Sequence, residues 1–216
     1  MPRKRAEEVF LYTFYVALFD IQPVIWRRFS VPSNITFEQF HEVLQLVMGW
    51  DNYHLYSFKY GPVEIGVPDD ENDDIIGPGV TFLPAQGLSL QTLHFEADDV
   101  MTYTYDFGDN WVHLLRLEFI SALEKGTTHA FRCEDGARAC PPEDVGGTYG
   151  YALHLKTLAD PTDPEYEETL NWRGPYDPDE FDLEFVNEQL QAEFGGKAGK
   201  AKGKTKTKDN GQDEIH

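Results

Sequence analysis

Apolar residues fall into three kinds of pattern along this chain: an unbroken run, a two-residue alternation and a helical stripe. Residues 8–20, E-V-F-L-Y-T-F-Y-V-A-L-F-D, are β-branched and aromatic without Gly or Pro, which predicts a central strand covered on both faces. Ile21-Gln22-Pro23 breaks it. A second strand over residues 24–31 precedes Pro32, so the two should pair as an antiparallel hairpin. Within it Trp26 and Arg28 share one face and Arg27 takes the other. Thr36 and Gln39 then make a capping box, Ile35 and Phe40 a hydrophobic staple, and Gly49 a helix stop. Between these signals Phe37, Phe40, Val43, Leu44, Val47 and Met48 form one helical stripe, with His41 packed at its edge.

Alternation resumes after Asn52. Residues 53–60 read as a strand with His54, Tyr56 and Phe58 on one side, and residues 63–65 as a short one. The densest chemistry lies in Y-T-Y-D-F-G-D-N-W-V-H, residues 103–113. Its alternation and its Gly108-Asp109-Asn110 turn predict a β-hairpin with two carboxylates and an amide at the tip. His113 follows Trp111 on the same face. Residues 80–100 are poorly patterned, with a short helix or strand near residues 88–93, and residues 133–151 read as loop. Three helices follow, over residues 151–159, 164–172 and 182–194, the last with Phe185, Val186 and Leu190 inward.

Charge changes this picture of a plain α+β domain. Residues 6–194 hold nine Lys and Arg against 35 Asp and Glu, a formal charge of −26, which repels phosphate backbones and attracts cations or basic segments. Residues 67–79 form an acidic, exposed loop without the spacing of a calcium loop. From Gly195 the chain is lysine-rich and of low complexity, so residues 195–216 are expected to be a disordered tail and residues 1–7 a disordered basic N-terminus. Apolar runs are too short to span a bilayer and no signal-type core follows Met1, which predicts a soluble, cytoplasmic protein. Cys133 and Cys140, separated by six residues, match neither a zinc half-site nor a redox pair, so reduced thiols are expected. Asp106-Phe107-Gly108 lacks every other element of a kinase.

Several ordered motifs bear a family resemblance. They are P-x-I-W-R-R with V-P (Pro23, Ile25, Trp26, Arg27, Arg28, Val31, Pro32), G-W-x-x-x-H-L (Gly49, Trp50, His54, Leu55), and Y-D-F-G-D-x-W-x-H from Tyr105 to His113. P-P-E-D-V-G-G-x-x-G-Y from Pro141 to Tyr151 follows, with Trp172, Gly174, Asp177, Pro178, Phe181, Val186 and Asn187 beyond it. Over residues 8–194 the chain resembles the plasmid pRiA4b ORF-3-like family, departing at Tyr56, where the family often has a second His. The resemblance implies a single α+β domain of hairpins packed against one helix from the N-terminal half and a C-terminal helical segment, with no established activity. Some members are named as insertion-element passenger proteins related to TnpR resolvases. A resolvase reading finds no basic helix-turn-helix here and meets a body charged −26.

Three functions remain in view. The first is a binding or adaptor module with a protein partner, linked by the resemblance to mobile-element or plasmid-borne genes. The second is a divalent-metal-dependent hydrolase or phosphoryl-transfer enzyme, because Asp106, Asp109, His113, Glu143 and Asp144 carry the oxygens and nitrogens a divalent cation needs. Arg27, Arg28 and His54 complete the candidate site. The third is nucleic-acid contact through tail residues 197–208 alone, with no membrane partner. A purely structural assignment competes with these: Asp109-Asn110 shape the turn, Asp106 pairs with Arg27 or Arg28, and Glu143-Asp144 accept backbone N–H groups. What separates them is whether the hairpin tip meets the P-P-E-D-V-G-G loop and the W-R-R strand.

Overall fold

A computed structural model describes residues 8–68, 79–124, 127 and 130–195. The N-terminal seven residues, the acidic run at 69–74 and the lysine tail lie outside the described residues. Eight strands form one sheet, antiparallel except for one parallel edge pair. In chain order the elements are β1 (Phe10–Leu18), β2 (Trp26–Pro32), α1 (Phe37–Met48), β3 (Tyr56–Tyr60), β4 (Val63–Gly66), β5 (Thr81–Pro84), β6 (Val100–Tyr105), β7 (Trp111–Ala122) and β8 (Arg132–Ala137). Helices α2 (Gly147–Leu158), α3 (Tyr166–Arg173) and α4 (Leu183–Phe194) complete the chain. The strand order is β5-β4-β3-β6-β7-β1-β2-β8. The chain is an α+β domain.

Helix α1 forms as its punctuation dictates. Thr36 accepts from the Gln39 N–H at 3.2 Å while Gln39 accepts from the Thr36 N–H at 3.0 Å, and Gly49 ends the helix with φ +103°. The apolar stripe is pressed onto one face of the sheet. Phe40 meets Phe14 of β1, Phe29 of β2 and Phe58 of β3 at ring-centroid distances of 5.0, 6.0 and 5.6 Å. A ring so enclosed contributes about 2–3 kcal/mol from burial alone, and α4 packs against both α1 and β8 on this side.

Strand β1 is central, as the uninterrupted run predicts, but only one of its faces is covered. The opposite face carries an ion network, Arg28 to Glu118 at 2.7 Å and Arg116 to Glu118 at 2.8 Å. Tyr15 stacks on Trp26 beside it. Two stretches read as loop are ordered. Cys133 pairs into β8 opposite Phe29, although C-E-D-G-A has no alternation, because this edge strand puts little but Cys133 into the core. Helix α2 starts at Gly147, with Gly146 as its N-cap. In α4, Asp182 caps the Phe185 N–H at 2.9 Å as predicted, and Val186 and Leu190 are buried. Phe185 faces solvent instead of the core, since at 100° per residue it stands off the buried stripe of Val186, Leu190 and Phe194. Among the described residues no helix is long and apolar enough to cross a membrane.

Candidate metal centre

The β6–β7 hairpin tip, the segment before β3 and the loop before α2 converge at one end of the sheet. Asp106 ends β6 in a left-handed conformation, φ +55°, which its short polar side chain tolerates by bonding locally. Its Oδ1 accepts the Gly108 N–H at 2.9 Å and its carbonyl accepts the Asn110 N–H at 2.6 Å. Its own N–H donates to the Leu55 carbonyl at 3.0 Å, fixing the tip beside His54. From the other side Asp109 Oδ2 accepts the Gly146 N–H at 3.0 Å. Gly147 has φ +66°, and a Cβ there would lie 2.6 Å from the Asp109 carbonyl oxygen. Only glycine allows the tip and the loop to approach this closely.

These contacts bring four predicted residues together. His54 Nε2 lies 3.1 Å from Asp144 Oδ1, 3.7 Å from Asp106 Oδ2 and 3.8 Å from Glu143 Oε2. The donor atoms of His54, Asp106 and Asp144 are all within 4.8 Å of one another. A divalent ion with bonds of about 2.0–2.2 Å separates adjacent ligand atoms by about 3 Å and opposed ones by about 4.2 Å. The spacing fits such an ion.

Glu143 stands behind this triad. It is 4% exposed. Its Oε1 accepts from the Asp51 N–H at 2.8 Å and from the Tyr105 hydroxyl at 3.0 Å. Its Oε2 is buried without a hydrogen-bond partner, as is His54 Nε2. Burial raises the Glu143 pKa, against the lowering effect of those two donors and of His54. Arg173 closes the back of the site, donating to the Glu143 carbonyl at 2.6 Å and lying 3.7 Å from Asp144 Oδ2. Three carboxylates against one guanidinium leave a site that a divalent cation neutralises.

Three other candidates sit elsewhere. Arg27 is 1% exposed and pairs with no carboxylate in these contacts. It donates to the carbonyls of Val47, Met48, Trp26, Ala137 and Arg138 at 2.7–3.3 Å, with the Phe181 ring 4.0 Å from its guanidinium carbon. Arg28 pairs with Glu118 on the open face, so the expected pairing of Asp106 with an arginine of β2 is not made. His113 is fully buried on the core face, where alternation from Trp111 directs it. Its Nε2 accepts from Trp50 Nε1 at 3.2 Å, which leaves Nδ1 to donate to the Tyr103 and Trp111 carbonyls at 3.2 and 3.0 Å. Burial holds its pKa down at about 4. The tip therefore meets the P-P-E-D-V-G-G loop but not the W-R-R strand. Sequence reading missed Arg173, which arrives from a distant helix end, and Tyr105, whose alternating aromatic position gave no sign of its hydroxyl's task.

Comparison with known proteins is consistent along the chain. A family model described as plasmid pRiA4b ORF-3-like protein matches residues 11–185. The chain belongs to this family. It is 38% identical over 165 residues to the uncharacterized protein y4hQ of Sinorhizobium fredii, covering 76% of this chain and 81% of that one. A crystal structure of a protein of unknown function, MM3350 from Methanosarcina mazei Go1, superposes with a TM-score of 0.71 at 34% identity, covering 82% of this chain and 97% of that one. The family match takes in all four residues of the cluster.

Proposed function

We propose that the domain is a divalent-metal-dependent hydrolase, with His54, Asp106 and Asp144 holding the ion and Glu143 acting as general base. The observation that carries this is the pair of buried atoms that make no hydrogen bond, His54 Nε2 and Glu143 Oε2, 3.8 Å apart and within reach of two further carboxylates. Leaving such atoms without a hydrogen bond costs about 1–3 kcal/mol each, and a cation among them removes that cost. One imidazole and two carboxylates suit Mn²⁺, Zn²⁺ or Fe²⁺ and leave coordination positions for water.

The chemistry follows from where the protons can go. A divalent ion held by His54, Asp106 and Asp144 would make a water acidic enough to give up a proton near neutral pH. Glu143, its Oε1 pinned by Tyr105 and the Asp51 N–H, has its free Oε2 available to accept that proton. The hydroxide so formed would add to the electrophilic centre of the substrate, the bond to the leaving group would break, and Glu143 would return the proton to the departing atom. One water is consumed and nothing is oxidised.

Calorimetric titration of the metal-stripped protein with Mn²⁺ and with Zn²⁺ tests the reading. One site per chain is expected, with thermal stabilisation that grows with metal concentration and is lost in Asp106→Asn. No binding and an unchanged Tm would leave a closed His–carboxylate cluster and end the proposal.

A further inference from the structure

The surroundings of this centre restrict its substrate. A phosphoryl group needs cationic partners beyond the metal, because its charge is spread over several oxygens. Among the described residues the one cation in contact with the cluster is Arg173, already committed to the Glu143 carbonyl and to Asp144, and Lys156 lies in the last turn of α2, at the far end of the helix from Gly147. Arg27 is spent on carbonyls, Arg28 and Arg116 on Glu118, and Arg138 on Asp179. Strand register puts Lys59 beside Thr102 and Arg132 beside Ser30, toward the end of the sheet away from the cluster. Asp51 and Asp109, in the segments bonded to Glu143 and Gly146, add negative charge to the cluster's own three carboxylates, within residues 6–194 whose formal charge is −26. Field and contacts both oppose an anion.

The same segments offer apolar surface. Tyr53 and Leu55, on either side of His54, are 71% and 49% exposed, and Phe107, next to Asp106, is 54% exposed. Tyr149, two residues beyond the Gly147 contact, is 82% exposed. Each of three segments that build the site thus leaves at least one large apolar side chain in water close to it in the chain.

We infer, resting on the metal reading above, that the substrate is an uncharged or cationic carbonyl compound with an apolar body, an amide or ester, and not a phosphate ester. With an ion held by His54, Asp106 and Asp144 to polarise the carbonyl, hydroxide would add at the carbonyl carbon and the C–N or C–O bond would break, the proton taken up by Glu143 leaving on nitrogen or oxygen.

Probes sharing one metal-binding head and differing only in charge test this. The protein is loaded with Co²⁺, whose visible spectrum reports the coordination sphere. It is then titrated with benzohydroxamic acid, its 4-aminomethyl derivative and its 4-carboxy derivative. At low salt the cationic probe should bind about tenfold or more tighter than the anionic one, the neutral probe between them. The gap should close in high salt. Acetohydroxamic acid, lacking the ring, should bind several-fold more weakly than benzohydroxamic acid. Replacing Tyr53 and Phe107 together by Ser should shrink that ring preference and leave the Co²⁺ spectrum of the free protein unchanged. Equal or tighter binding of the anionic probe, or no ring preference, overturns the inference with the metal centre intact. Absence of any protein-bound Co²⁺ spectrum overturns the metal reading itself.

Discussion

Two groups of buried polar side chains meet at the hairpin of β6 and β7, and they are built in opposite ways. Beneath the tip, Gln45 Nε2 donates to the Tyr103 hydroxyl at 2.8 Å, Tyr103 bonds His41 Nδ1 at 2.7 Å, and His41 Nε2 bonds Asn52 Oδ1 at 2.7 Å. Gln45 Oε1 closes the circuit by accepting the Asn52 N–H at 2.9 Å. With Asn52 Oδ1 as acceptor, His41 Nε2 carries the proton and Nδ1 accepts from Tyr103. His113 and Arg27 are comparably saturated by Trp50 and by backbone carbonyls. At the tip, by contrast, His54 Nε2 and Glu143 Oε2 make no hydrogen bond and have only the charges of the cluster around them. Saturated polar groups specify a fold; unsaturated ones, held in place by saturated neighbours, are poised for a ligand.

The sharpest test of the closed group is Arg27→Leu. It strands the five carbonyls that Arg27 serves, and a loss of about 4 kcal/mol or more in denaturant unfolding is expected. Arg28→Ala on the open face should cost no more than about 1 kcal/mol. If the two substitutions prove equal, saturation is not what distinguishes these positions. For the open group, His54→Ala should weaken metal binding by about 100-fold, about 2.7 kcal/mol, in calorimetry. Its metal-free stability should stay within about 1 kcal/mol of the parent. A collapse in stability instead would assign His54 to the closed group.

Acid separates the groups without mutation. Burial lowers His41 and His113 to about 4 from an ordinary 6.5, so between those values the unfolded chain binds protons that the folded one refuses. Stability from these two residues is complete above pH 6.5 and drains away as pH falls toward 4. Ring-carbon NMR titration should find both histidines neutral down to about pH 4; titration of either near 6.5 contradicts the closed network. The smallest change in stability is expected for Glu143→Gln. It removes a buried charge and should raise metal-free stability by about 1 kcal/mol, while removing the proposed base. A destabilised variant that still turned over substrate would remove Glu143 from the role of base.

Locally encoded features were readable from the residues alone. The α1 capping box, the Gly49 stop and the β6–β7 alternation are set by neighbours within a few positions. Strand β8 escaped notice because an edge strand with one core-facing Cys133 needs no alternation, and the parallel pairing of β4 with β5 leaves no local mark. Of the candidate residues, His54, Asp106, Glu143 and Asp144 converge, while Asp109 acts as the clasp between tip and loop. His113 was legible as core from its register with Trp111. Arg27 and Arg28 were divided between the two faces by the same alternation, but nothing local indicates that one meets carbonyls and the other Glu118. Cys133 and Cys140 are free, and burial raises the Cys133 thiol to about 11 and the Cys140 thiol well above its ordinary value, which makes them poor nucleophiles.

Arg27 also makes two distant stretches of the chain depend on each other. Its guanidinium reaches the Ala137 and Arg138 carbonyls, 110 and 111 residues later in the chain, while its other partners, Trp26, Val47 and Met48, all lie within 21 residues of it. A chain cut short before residue 137 keeps the cation and loses two of the five carbonyls that hold it.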